Sequence, residues 1–153
     1  MDYFSILVVD DEVDFLDTIT KRLQKRNINT SGVTSAEEAL KLMDKRLFDV
    51  VVLDIKMPGG MDGIEALREM KRKAPLTEVI LLTGHASVET SIEGMKLGAF
   101  DYLLKPVKFE DFMVKLGEAF EKKDQHEQKI RKAKIQELIR HPGRVFHQDK
   151  DQE

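Results

Sequence analysis

The amino-acid sequence predicts an α/β fold built on a doubly wound, parallel sheet of five strands with helices on both faces. Short apolar runs of strand length alternate about five times with stretches of helical period, which is typical of repeated βαβ units. The run at 50–53 is apolar on both faces, as expected of a central parallel strand, whereas the segment at 29–33 is polar enough for a sheet edge. Among the common strand orders, the flavodoxin-like order 2-1-3-4-5 fits this pattern.

Each strand is followed by apolar residues spaced for one face of a helix. In the first two helices these are Val13, Leu16, Ile19 and Leu23, then Ala36, Ala39, Leu40 and Met43. The third helix is expected to bury Ile64 and Leu67, the fourth, from about Ser87, to bury Val88, Ile92 and Met95, and the fifth to bury Phe112, Met113, Leu116 and Phe120. Ser35 and Glu38 have the spacing of a capping box.

Composition narrows the class of protein. The chain has 153 residues, no cysteine and a formal net charge of -3, so bulk attraction to nucleic acid or an anionic membrane is not expected. The absence of cysteine excludes disulfides and thiolate metal sites. No apolar run approaches the roughly 18 residues that span a bilayer. We therefore expect a protein of the cytoplasm without a membrane segment.

Polar side chains stand where four of the apolar strands end. Asp10 and Asp11 follow the first strand, Asp54 the third, Thr83 the fourth and Lys105 the fifth. In a sheet of this kind, ligands bind outside the carboxyl ends of the strands. These side chains are therefore expected to converge in one crevice.

Three carboxylates in one crevice repel one another unless a cation compensates. Because the pattern offers oxygen ligands, Mg²⁺ is the favoured ion, and it leaves positions open for phosphate oxygens. Lys105 adds a positive charge and Thr83 a hydroxyl donor. The set describes a phosphoryl site with Asp54 as the nucleophile that forms an aspartyl phosphate.

At this point the chain closely resembles the response-regulator receiver domain of two-component signalling, of the type found in NtrC-like transcriptional activators. The matching segments are Asp10-Asp11, the strand ending in Asp54 with Ile-Lys-Met-Pro after it, Thr83-Gly84-His85-Ala86, and the segment from Gly98 to Lys105-Pro106. The resemblance covers about residues 4 to 122, and several motifs in the same order make it specific.

Carried over by position, the resemblance implies a role for each residue. Asp54 accepts phosphate from a histidine kinase; Asp11, Asp54 and the Lys56 main-chain carbonyl bind Mg²⁺, with Asp10 acting largely through water. Lys105 contacts the phosphoryl group, Thr83 moves toward it, and Tyr102 swings inward as Thr83 moves. The Lys105-Pro106 peptide is commonly cis in this family.

Simpler interpretations exist for single residues. Asp11 could cap the first helix, Thr83 and Lys105 could be ordinary loop residues, Tyr102 could serve packing, and His85 is interpreted as a loop histidine. One departure concerns the turn after Asp54, which reads Met57-Pro58-Gly59-Gly60-Met61-Asp62-Gly63 with one glycine more than the family pattern, so we expect a looser loop.

The composition changes near residue 121. Residues 121–153 hold nine Lys or Arg against seven acids, and residues 1–120 hold 16 against 21, giving about +2 and -5. We expect a receiver domain at 1–122 and a mildly basic, partly helical tail at 123–153, with the fifth helix extended to about Arg140 before His141-Pro142-Gly143 breaks it and a frayed end beyond. The tail is too short for an independent DNA-binding core, so no direct DNA binding is predicted.

The sequence therefore predicts a single-domain response regulator rather than an enzyme, with at most slow self-dephosphorylation. Its expected partners are a sensor histidine kinase or phosphotransfer protein, a downstream protein target, and a second copy in a homodimer. The resemblance places the output surface on the fourth helix, fifth strand and fifth helix. The alternatives are a phosphorelay intermediate, a split receiver of a transcriptional activator, and remotely a Mg²⁺-dependent aspartyl phosphatase. A flavodoxin-like electron carrier and an interaction module without phosphorylation complete the alternatives.

Overall fold

The computed structural model describes residues 4–57, 59–84 and 88–141. It contains a five-stranded sheet of order β2-β1-β3-β4-β5, and every neighbouring pair is parallel. The predicted strand order and the edge position of the second strand are therefore confirmed.

Strands and helices alternate along the whole described chain. The strands are β1 Ser5–Val9, β2 Asn29–Val33, β3 Val50–Asp54, β4 Glu78–Thr83 and β5 Asp101–Leu104. The helices are α1 Val13–Lys25, α2 Ala36–Lys45, α3 Gly63–Lys73, α4 Val88–Lys96 and α5 Phe109–Arg140. Ser35 caps α2 by accepting a hydrogen bond from Glu38 N at 3.2 Å, which is one half of the predicted capping box, while the Glu38 carboxylate accepts from Thr34 N at 3.4 Å.

Two apolar cores lie on the two faces of the sheet, because successive side chains of a strand point to opposite faces. On one face Leu7, Val51 and Leu81 pack with residues of α2 and α3. On the other face β1 and β3 contribute Ile6 and Val52, which pack with residues of α1 and α5. Burial on both faces explains the unbroken apolar run of β3.

The fourth helix does not bury two of the side chains that its spacing predicted, Ile92 and Met95, while the side chain of Val88 lies outside the described ones. Ile92 and Met95 are 50% and 40% exposed, whereas Ser91 and Gly94 face the protein. A Cβ on Gly94 would lie 2.4 Å from Leu81 Cδ1, so α4 approaches the sheet closely through its small residues. That close approach turns the larger residues outward. The predicted start at Ser87 lies outside the described residues.

Two further expectations need correction or completion. Val13 is 63% exposed rather than part of the buried face of α1, because α1 begins there and its buried residues are Leu16, Ile19 and Leu23. Among the expected residues of α5, Phe112 and Leu116 are buried, while Met113 and Phe120 are partly buried against the same core.

The extension of α5 to Arg140 is confirmed. The chain divides into two compact units, Met1–Lys123 and Asp124–Glu153. In the second unit the described residues form a helix whose Ile130, Ile135 and Ile139 are exposed. The predicted break at Pro142-Gly143 and the frayed end beyond lie outside the described residues. Within the described ranges, no helix has the length and apolar character to cross a membrane.

Candidate functional site

The acidic residues after β1 and β3 lie side by side. Val9 pairs with Leu53 in the register of these strands, so Asp10 and Asp54 come next to each other at the carboxyl edge of the sheet. Carboxylate oxygens of Asp10, Asp11 and Asp54 lie within 4.8 Å of one another. The predicted convergence of these acids is therefore confirmed, although they are separated by more than forty positions in the sequence.

Burial makes this cluster electrostatically costly. Asp10 is fully buried, Asp54 is 4% exposed, and Asp11 is partly buried. Loss of solvent and, next, repulsion from Asp10 raise the pKa of Asp54 to about 6, while Lys105 and a hydrogen bond from Lys56 N oppose that rise. A positive charge placed near such a carboxyl stabilises its ionised form.

Lys105 supplies part of that charge. Its Nζ lies 2.6 Å from Asp10 Oδ2, 3.6 Å from Asp54 Oδ2 and 3.7 Å from Glu12 Oε1. Burial lowers the pKa of Lys105, but the hydrogen bond that its Nζ donates to Asp10 and the negative charges of Asp10, Asp54 and Glu12 outweigh that effect and leave the pKa raised. Lys105 is therefore protonated and positively charged at neutral pH.

The ends of β4 and β5 complete the crevice. Thr83 is buried as the last residue of β4, and its carbonyl accepts a hydrogen bond from Lys105 N at 2.8 Å. The Lys105-Pro106 peptide is cis, as the family resemblance implied. Tyr102, on β5, is 41% exposed and thus directed outward in this structure.

The backbone after Asp54 curls back toward the carboxylate. Lys56 N donates a hydrogen bond to Asp54 Oδ1 at 3.1 Å, while the Lys56 side chain is exposed. This turn keeps the main chain of Lys56 beside the acidic cluster, where the resemblance expects its carbonyl to act. Pro58 lies outside the described residues.

The capping interpretation of Asp11 is wrong. The residue before α1 is Glu12, which makes no side-chain capping bond, and Asp10 Oδ1 instead accepts a hydrogen bond from Glu12 N at 2.9 Å. Asp11 instead belongs to the acidic cluster with Asp10 and Asp54. His85 and Ala86, which the sequence placed in the loop after β4, lie outside the described residues.

Phe15 and the cleft beside it were missed by reasoning from the sequence. Lys105 Nζ lies 4.6 Å from the centre of the Phe15 ring, a cation-π distance. A cleft of about 450 Å³ opens next to Lys105. It is lined by Glu12, Phe15, Thr18, Ile19, Arg22, Gly84, Lys105, Pro106, Val107 and Phe109. Phe15 is an apolar residue of α1 that does not belong to its set of buried residues, Leu16, Ile19 and Leu23. An apolar side chain beside the buried face was therefore the feature of the sequence that could have indicated a residue turned toward the crevice.

The donor set fits a hard divalent cation. The three clustered groups are carboxylates, which suit Mg²⁺ better than metals that prefer sulfur or imidazole. Asp10 Oδ2 is buried, and Lys105 Nζ, at 2.6 Å, is its ionic partner. Three clustered carboxylates and the raised pKa of Asp54 show that one lysine does not fully compensate the negative charge, so a bound cation would be favourable here.

The parallel sheet and the acid cluster at its carboxyl edge define a receiver class of signalling domain. Comparison with known proteins agrees: residues 6–117 match the family model described as "Response regulator receiver domain". The chain belongs to that family. It is 37% identical over 118 residues to the transcriptional regulatory protein ZraR of Escherichia coli O157:H7, and 34% identical over 122 residues to an NtrX-like response regulator of Rickettsia bellii.

Solved structures show the same similarity. A receiver domain protein of Clostridium thermocellum is 36% identical with a TM-score of 0.75, the match covering 80% of this chain and 98% of that one. NtrX of Brucella abortus is 31% identical with a TM-score of 0.79, covering 85% of this chain and 30% of that one. The two curated relatives are matched over 77% and 79% of this chain but over only 26% of their own length.

Proposed function

We propose that this chain is a phosphoryl-accepting switch in which Asp54 receives the phosphoryl group with the help of Mg²⁺. The observation that carries the proposal is the meeting of Asp10, Asp11 and Asp54 within 4.8 Å, with Lys105 Nζ 3.6 Å from Asp54. Each residue type in this set has a distinct use in phosphoryl transfer, which depends on positioning and on neutralising charge.

The reaction forms an acyl phosphate on the Asp54 carboxylate. A carboxylate oxygen attacks phosphorus, the bond from phosphorus to the donor imidazole nitrogen breaks, and the leaving imidazole takes up a proton. Lys105 stabilises the charge on the transferred phosphoryl oxygens. Asp11, Asp54 and the Lys56 carbonyl would hold Mg²⁺, with Asp10 acting largely through water, and the ion supplies charge neutralisation when it is bound.

The donor is a protein that carries phosphohistidine, either a sensor histidine kinase or a phosphotransfer protein. The cleft beside Lys105 supports this proposal, because its apolar residues Phe15, Ile19, Val107 and Phe109 offer a docking surface next to the phosphoacceptor. Arg22, stacked 4.0 Å above the Phe109 ring, adds a charge at its border. A partner that presents an apolar side chain with a nearby acid would fit this cleft.

Phosphorylation shifts an equilibrium between inactive and active forms. Thr83 moves toward the phosphoryl group, and Tyr102 turns inward from its exposed position. The output surface is formed by α4, β5 and α5, where Ile92, Met95, Tyr102 and Leu104 are between 40% and 50% exposed. Such an exposed apolar group supports docking of a protein target or of a second copy of the chain.

The proposal is a switch and not an enzyme that turns over an external substrate, with at most slow loss of its own phosphoryl group. The single-domain interpretation and the absence of direct DNA binding stay predictions, since the curated relatives extend well beyond the matched region. The same chemistry would serve a phosphorelay intermediate or the receiver part of a split transcriptional activator.

Labelling by a small phosphodonor tests the function. Incubation with acetyl phosphate and Mg²⁺ should add one phosphoryl group to the intact chain, as read by mass spectrometry. Asp54→Ala should remove the labelling, whereas Asp14→Asn, an exposed acid on α1, should retain it. Unchanged labelling of Asp54→Ala would exclude Asp54 as the acceptor.

Beryllofluoride, which mimics the phosphoryl group, tests the switch separately. The molecular mass in solution should be compared with and without beryllofluoride and Mg²⁺. We expect a change in self-association or in target binding that Leu104→Ser weakens, because this residue is exposed on the proposed output surface. A chain that binds the mimic without either change would contradict the proposed output surface.

A further inference from the structure

Two consecutive glycines of the loop after Asp54 have a backbone conformation that residues with a Cβ adopt only with strain. Gly59 and Gly60 have φ angles of 76° and 81°, in the left-handed region that residues with a Cβ rarely adopt. One of these two glycines is the residue by which the loop exceeds the family pattern. At Gly59 and Gly60 the longer loop therefore takes a course that its own glycines permit.

A carboxylate from another helix holds this loop. Glu37, in the first turn of α2, accepts a hydrogen bond from Met61 N on Oε1 at 2.7 Å. This bond lowers the pKa of Glu37, so the side chain is a carboxylate at neutral pH. A Cβ on Gly60 would lie 2.6 Å from the same oxygen. Gly60 thus leaves the space in which the Glu37 carboxylate reaches the loop.

The held segment is the one that carries the Lys56 carbonyl. At its start, Ile55 N donates to Leu82 O at 2.9 Å, and at its end Gly63 N donates to Ile55 O at 3.1 Å. Between these points Met57 is buried and Met61 packs against the same core. The hydrogen bond from Met61 to Glu37 therefore acts on a short loop whose two ends are already fixed.

We propose that Glu37 is a positioning residue that holds this loop so that the Lys56 carbonyl is placed for Mg²⁺. The inference rests on the proposed function and extends it to a residue that contacts neither the metal nor the phosphoryl group. A loop ordered before binding loses less conformational entropy when the cation arrives, so the bond contributes to affinity through preorganisation. Without it, the carbonyl must be ordered at the moment of binding.

The test compares Mg²⁺ affinity among three variants of the full chain by titration followed with amide NMR. Glu37→Ala removes the acceptor, and we expect Mg²⁺ to bind roughly three- to tenfold more weakly. Glu37→Gln keeps an acceptor oxygen and should stay within roughly twofold of the natural chain. Glu38→Ala is the matched control: it also removes an acid from the first turn of α2, but Glu38 contacts Thr34 rather than the loop.

A second readout needs no metal. In the metal-free protein, hydrogen exchange of the Met61 amide should be faster in Glu37→Ala than in Glu38→Ala at equal global stability. Unchanged Mg²⁺ affinity in Glu37→Ala, or an equal loss in Glu37→Gln, overturns the positioning role while leaving Asp54 labelling intact. A natural chain that fails to bind Mg²⁺ overturns the proposed metal site itself, so the two failures are distinguishable.

Discussion

Lys105 Nζ lies 2.6 Å from Asp10 Oδ2 but 3.6 Å from Asp54 Oδ2, so its shortest ion pair is with an acid other than the proposed phosphoacceptor. A lysine held in this way stays near the Asp54 carboxylate without being bound tightly to it. Asp54 Oδ2 is therefore not held in a close ion pair with Lys105, and the cation stands beside the position that a phosphoryl group on Asp54 would occupy.

Removal of the Lys105 charge should slow phosphoryl acceptance. We expect Lys105→Met to lower the rate of labelling by acetyl phosphate by about 100-fold, because a positioned charge is lost from the transition state. The rate is measured in saturating Mg²⁺ so that metal occupancy does not limit it. The control is Lys108→Met, since Lys108 is exposed and belongs to the same segment. Equal rates for the two variants would contradict the role of Lys105.

The raised pKa of Asp54 predicts a pH-dependent gain in stability from Asp54→Asn. In the metal-free chain this pKa is about 6, against an ordinary value of 3.8, so the folded state binds the proton more tightly than the unfolded state does. The contribution of Asp54 to the stability of the natural chain thus falls as the pH rises from about 4 to 6. Asp54→Asn should be more stable by about 1–3 kcal/mol at neutral pH, and the difference should vanish near pH 4.

Urea unfolding without Mg²⁺, measured at several pH values, checks this expectation. Asp14→Asn removes an equally charged but exposed acid from the first turn of α1, where an acid is favourable to the helix, and should not stabilise the protein. The burial account of Asp54 fails if Asp54→Asn is no more stable than the natural chain at neutral pH.

Mg²⁺ should stabilise the natural chain, because the cation relieves repulsion among buried carboxylates. Where its concentration is 100 times the dissociation constant, the free energy of unfolding should rise by about 2.7 kcal/mol. Asp11→Asn should lose most of this increase, since one of the three clustered carboxylates is then neutral. Glu12→Gln, next in the sequence but outside the cluster, should retain it; a similar loss in both variants would indicate a diffuse charge effect.

The packing of α4 predicts opposite effects for two glycine substitutions. Gly94→Ala places a Cβ 2.4 Å from Leu81 Cδ1 and should lower the free energy of unfolding by about 1–3 kcal/mol through overpacking. Gly117→Ala, in α5, has no atom within 4 Å of the new Cβ and should raise it by about 0.5–1 kcal/mol. Denaturant unfolding of both variants checks the pair, and a stabilising Gly94→Ala would contradict the close approach.

Local patterns in the sequence predicted the strand order and the meeting of the acids, because β3 is apolar on both faces and polar residues stand directly after each strand. They failed for α4, where helical period indicated Ile92 and Met95 as buried. Reasoning from periodicity assigns the larger apolar side chains to the buried face of a helix. In α4, however, the close packing of Gly94 against Leu81 determines which face is buried. The bond between Glu37 and Met61 was not predictable either, since it joins residues 24 positions apart through a loop of unusual backbone.

The small residues through which α4 packs on the sheet also affect the free energy needed to move this helix. Ser91 Oγ is buried and has no hydrogen-bond partner in the described part of the chain, and Gly94 contributes no side chain to the core. Detachment of this helix would uncover Leu81, but it would also hydrate a hydroxyl that is otherwise unsatisfied. The hydration of Ser91 would thus offset part of the free energy lost when α4 moves, which would help a phosphoryl group on Asp54 to shift this helix.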